Sequence, residues 1–130
     1  MAQIQAGTTG EVDALSQWQF IPGQAGATGE IGYWDVSLSG TTVGSATSPN
    51  GWNVQGSGCN CSYSPATTGS TALTVTAPSN APAGAYAVGR VECLAPGGPS
   101  GNFKCHADGT FDVIAADTSV LGPGPAACGM

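Results

Sequence analysis

Apolar and polar residues alternate with a period of two along much of this chain, and no window holds the helical period for three turns. In EIGYWDVSL, Trp34, Val36 and Leu38 alternate with Tyr33, Asp35 and Ser37. Successive strand side chains point to opposite faces, so one apolar face and one polar face are predicted there. TALTVTAP repeats the pattern with Leu73, Val75 and Ala77 against Thr74 and Thr76. Pro78 ends that strand because it has no amide hydrogen to give to a ladder. GWNVQGS follows an SPNG turn, in which Pro49 sets φ and Asn50-Gly51 supplies positive φ. In APAGAYAVGRVECL, Tyr86 and Val88 share one parity and Val91 and Cys93 the other, and a bulge at Gly89 is expected to bring all four to one side. The chain then turns through APGGPSG, and NFKCHADGTFDVIAA returns as one long strand or as two joined at Asp108-Gly109. Residues 10–19 are the one place where a short helix is expected.

Composition supports the strand reading. The 21 glycines and nine prolines among 130 residues fall between short Val, Ile, Thr and aromatic runs at intervals of roughly 8 to 12 residues, the spacing of an all-β fold of short strands. The length suits one domain with a single core. Only two residues are basic and eight are acidic. Nucleic-acid binding draws on Lys and Arg to displace counterions from phosphates, and Arg90 and Lys104 are too few, so neither a nucleic acid nor an anionic membrane is an expected partner. No apolar run approaches the roughly 20 residues that cross a bilayer as a helix. The first 18 residues lack the basic start and apolar stretch of a secretory signal. Either a leader has been removed and Met1 is not native, or the protein is made in the cytosol without one.

Five cysteines carry the sharpest question: Cys59, Cys61, Cys93, Cys105 and Cys128. Zinc would draw on Cys59, Cys61, Cys93, Cys105 and His106, but no pair has the knuckle spacing, so no metal is expected. No Cys-x-x-Cys redox pair exists, and KCH lacks the first cysteine of a haem attachment site. Buried thiols in a cytosolic core are one reading. Disulfides fit better. Cys93 and Cys105 flank APGGPSG symmetrically, so a hairpin would set them opposite each other within bridging reach. Cys59 and Cys61 point to one face if extended, each toward a different partner, and one of them is a candidate partner for Cys128. Five is odd, and Cys128, on its glycine- and proline-rich tail, is the best placed to join a neighbouring subunit.

Catalysis draws little support. His106 is the only histidine and reads as a surface residue. Asp108, Asp112 and Asp117 lack the ligand alternation of an EF-hand and read as solvated acids at strand ends. No enzymatic activity and no cofactor are expected. Asn60, in NCS, matches a glycosylation acceptor, a short pattern that also arises by chance.

The run ALTVTAPSNAPAGAYAV, residues 72–88, resembles a stretch of bacterial and phage immunoglobulin-like domains, in which a Val/Thr strand and a proline-containing corner lead through AGxY into the next strand. The resemblance covers about 17 residues and implies an immunoglobulin-like antiparallel β-sandwich. Tyr86 resembles the tyrosine that fixes the corner of such sandwiches by hydrogen-bonding backward to the backbone. Cys93 follows that tyrosine by seven residues rather than two, a departure from antibody-type domains. On this reading residues 1–28 are an N-terminal arm, 29–117 the sandwich and 118–130 a C-terminal tail.

Two functions are expected of such a chain. The first is a non-enzymatic structural subunit on the surface of an extracellular assembly, foremost a phage virion in the manner of a capsid decoration protein. A missing leader, disulfides acquired in an oxidising medium and small-residue arms converge on it. Its partners would be other protein subunits, either copies of itself or a major structural protein. The alternative is a secreted carbohydrate-binding or adhesion module. Trp34 and Tyr86 read as core, leaving Trp52, Tyr33 and Tyr63 as candidate stackers for sugar rings.

Overall fold

The computed structural model of the protein describes residues 2–23, 29–56 and 68–116. Among them there is no helix, and eight strands follow one another: β1 (Ala2–Gln5), β2 (Thr9–Pro22), β3 (Gly29–Leu38), β4 (Thr41–Ser45), β5 (Asn53–Gln55), β6 (Thr68–Thr76), β7 (Gly84–Pro96) and β8 (Gly101–Ile114). They hydrogen-bond in the order β4-β3-β7-β8-β2-β6-β5, antiparallel throughout, and β1 adds to β8 in parallel. The all-β expectation holds. The sheet curls so that its two ends share one core. Trp52, just before β5, packs its ring 5.1 Å from that of Tyr86 on β7 and 6.0 Å from that of Phe111 on β8.

The strands form where the alternation is cleanest. On β3, Trp34 and Val36 are buried while Tyr33 and Asp35 face outward; on β6 the buried positions are Thr71, Leu73 and Val75. β3 turns into β4 through Ser39-Gly40, both at positive φ (51° and 81°), with Leu38 opposite Thr41. That is the two-residue primed turn whose twist matches its strands. Asn50 and Gly51 also take positive φ, 51° and 88°, as the SPNG segment predicts. The loop they close lies back over β4, where a Cβ on Gly44 would come within 2.7 Å of Trp52 Cδ1 and 2.8 Å of the Pro49 carbonyl. Glycine at 44 is what lets Trp52 reach the core.

Several expectations need correction. Residues 10–19 are strand, not helix: Val12, Ala14, Ser16 and Trp18 are buried on one face of β2 and alternate with Glu11, Asp13, Leu15 and Gln17. Residues 2–22 are not an arm, since Ile4, Val12 and Ala14 belong to the main core beside Leu73, Val75, Tyr86 and Phe111. β8 is one strand of 14 residues, and Asp108-Gly109 passes through it without a turn. The bulge of β7 lies between Val91 and Cys93, not at Gly89. Its effect is to bury Glu92 beside Arg90, which turns inward with Tyr86 and Val88. The residues 118–130 expected as a tail lie outside the described residues.

A buried polar bridge ties the two ends of the curled sheet. Arg90 Nε is ion-paired with Glu92 Oε1, and Arg90 Nη1 donates to the Val54 carbonyl at 2.8 Å. Tyr86 Oη donates to the Pro82 carbonyl at 2.6 Å, four residues back along the corner that leads into β7. Burial raises the Tyr86 pKa above its ordinary value.

Candidate functional site

Four strands, β3, β7, β8 and β2, present one continuous face to solvent, and its register assembles side chains far apart in sequence. One row across the sheet runs Asp35, Gly89, Asp108, Leu15, and the next runs Tyr33, Val91, His106, Gln17. A cavity of about 460 Å³, lined among others by Asp13, Leu15, Asp35 and Asp108, adjoins one of about 320 Å³ lined among others by Gln19, Tyr33, Lys104 and His106. The two share Asp35, Gly89 and Asp108, so they form one trough with Gly89 at its floor. Leu15 (55% exposed) and Tyr33 (47%) stand along it. They stand at opposite edges of it, Leu15 on β2 and Tyr33 on β3.

Gly89 has a purpose here that differs from a bulge. A Cβ at this position would lie 3.0 Å from Asp108 Oδ1 and 3.2 Å from Asp35 Oδ1. The bare backbone therefore lets the two carboxylates close in over Gly89, where a methyl group would crowd both oxygens. His106 Nδ1 lies 2.7 Å from Asp108 Oδ2, which orients that carboxylate. His106 is thus largely covered and engaged with Asp108, not the open surface residue that the sequence suggests. Chemically the trough offers negative charge, hydrogen-bond acceptors and an aromatic face. Among the described residues no group of three or more His, Cys, Asp or Glu side chains has metal-binding geometry.

The candidate stackers separate. Tyr33 is half-exposed in the trough, whereas Trp52 is 5% exposed and packed against Tyr86 and Phe111, and has no face to offer a ligand. Tyr63 lies outside the described residues, as do Cys59, Cys61 and Cys128, together with Asn60 and Asp117. Cys93 and Cys105 do stand opposite each other across the β7–β8 hairpin. They are nevertheless not joined, for Cys105 is a buried thiol against Trp18. The bulge immediately before Cys93 increases the local twist, and close α-carbons do not form a bridge unless the Cβ vectors also align. Asp112 sits on β8 opposite Ala85, remote in register from Asp108. The acids that do gather around Asp108 are Asp35 and Asp13, from other strands, and no spacing in the sequence signals that grouping.

Compared with known proteins, the chain matches no family model, no curated protein and no solved structure.

Proposed function

We propose that this chain is a non-enzymatic structural subunit, an immunoglobulin-like β-sandwich exposed on the surface of an extracellular assembly, foremost a virion surface in the manner of a capsid decoration protein. The strand order supports the fold reading. On this reading β4-β3-β7-β8 and β2-β6-β5 are its two layers, joined by β2–β8 pairing into one curled sheet, and the burial of Trp34 on the third strand supports it. The Tyr86 hydrogen bond to the Pro82 carbonyl is the corner contact expected of it. The observation that carries the functional reading is the outer face, where half-exposed Tyr33 and Leu15 flank a trough on a sheet layer that no described strand covers. Apolar side chains held there gain by burial against a neighbouring subunit.

Disulfides belong to this reading. With Cys105 a buried thiol, the bridge candidates of this reading are Cys59, Cys61, Cys93 and Cys128. Intact mass before and after reduction, with alkylation, tests the bridges. Density-gradient fractionation of native material tests the function: the protein banding with a large particle supports it, and a soluble monomer with no particle overturns it.

A second reading, a carbohydrate-binding or adhesion module, is favoured by the smaller part of the trough, where Tyr33 stands beside Asp35, His106 and Gln19. An aromatic face next to acceptors suits a sugar ring. A glycan array, with Tyr33→Ala as control, tests it.

A further inference from the structure

We infer that the outer trough docks a basic, extended segment of a different protein, with one arginine side chain seated above Gly89 between Asp35 and Asp108. This rests on the structural-subunit reading and names the chemistry of the partner. The trough crosses three strand spacings from β3 to β2, about 14 Å, enough for four or five residues of extended chain. Glu11 and Asp13 line a further hollow beside it, so the acidic lining continues past the seat.

Charge complementarity selects the occupant. Asp13, Asp35 and Asp108 line the trough, against Lys104 at its far end and His106, which is occupied with Asp108. The rest of the molecule cannot supply the missing cation. Of two basic residues in the chain, Arg90 is turned inward to Glu92 and Val54, leaving a second copy with Lys104 alone. The partner is therefore another protein. Geometry selects arginine within it. Asp35 Oδ1 and Asp108 Oδ1 approach the Gly89 seat from opposite strands, and a planar guanidinium can donate to both, where an ammonium is a point charge. Tyr33 lies two residues from Asp35 on the same face and offers its ring to the same cation.

The test uses the full chain and an octapeptide of alternating arginine and glycine, with lysine-glycine and glutamate-glycine peptides as comparison, titrated by calorimetry at low and physiological salt. Arginine peptide binding is expected, weaker for lysine and absent for glutamate. The deciding variant is Gly89→Ala, which fills the seat without changing net charge and is expected to weaken arginine binding at least tenfold. Asp35→Asn, at an exposed position, should do the same should Gly89→Ala fail to fold. Asp112→Asn removes one charge outside the trough and should leave binding within about twofold. Equal loss in Asp112→Asn and in Asp35→Asn would mean diffuse attraction to an acidic protein and would overturn the proposal. So would unchanged affinity in Gly89→Ala, or binding of a neutral oligosaccharide in place of the peptide. Banding with a particle while ignoring the arginine peptide would sink this inference and leave the subunit reading intact; peptide binding without any particle would do the reverse.

Discussion

Arg90 tests whether the polar bridge inside the core holds the two ends of the sheet together. Arg90→Met keeps a flexible stem of similar reach and removes the charge. Glu92, whose side chain is 3% exposed, then becomes a buried carboxylate without its ion-pair partner, and the Val54 carbonyl loses its donor. Breaking one side of a buried pair costs about 3–5 kcal/mol. Arg90 itself keeps 17% exposure, so water screens part of the interaction and the lower half of that range, about 3–4 kcal/mol, is expected. Replacing both residues with methionine leaves no buried charge, only an unsatisfied carbonyl worth about 1–2 kcal/mol. The double variant should therefore be more stable than Arg90→Met alone by about 2 kcal/mol. Urea unfolding followed by tryptophan emission reads this directly, because Trp18, Trp34 and Trp52 are all buried and shift to longer wavelength on exposure. The reasoning fails if the double variant is as unstable as the single one, for the loss would then come from packing around the stem.

Tyr86→Phe should lose about 1 kcal/mol with the bond to the Pro82 carbonyl. Because burial raises the Tyr86 pKa in the folded state, its contribution is complete below the unfolded value near 10 and falls as pH rises through the folded value. The phenylalanine variant should therefore show a shallower alkaline loss in thermal melts, and equal slopes would refute that assignment. Gly44→Ala pushes a methyl into Trp52 and the Pro49 carbonyl and should cost about 1–3 kcal/mol by overpacking, with an altered Trp52 signal in near-ultraviolet circular dichroism. Tyr33→Ala, on the open face, should leave the melting temperature within about 2 °C, since exposed substitutions rarely exceed about 0.5 kcal/mol.

Local pattern made β3, β6 and the β7–β8 hairpin legible, because their inward positions carry large apolar side chains and proline or glycine punctuates their ends. β2 defeated the same reading for a physical reason. Its inward face includes Ala14 and Ser16, the latter 1% exposed, while Leu15 points to solvent at 55%, so hydropathy runs against burial over those positions. Gly89 was misread for a related reason. Glycine in a strand marks either a bulge or a close approach, and only the register, with Asp35 and Asp108 on either side, distinguishes them. Trp52 looked available because only Trp34 and Tyr86 were assigned to the core, whereas Gly44 opens a path for it into that core. The trough itself is a product of pairing across four strands and has no local signature.

The parallel pairing of β1 with β8 sets how the molecule responds to tension. Ala2 lies opposite Phe111 and Gln5 opposite Ile114, so a pull entering ahead of Ala2 and leaving beyond Ile114 slides the two strands past each other along their length. The ladder bonds between them are then strained together rather than opened one after another. Ile4, seated in the core, must be drawn out at the same moment. Along this line β1 and β8 form a mechanical clamp loaded in shear.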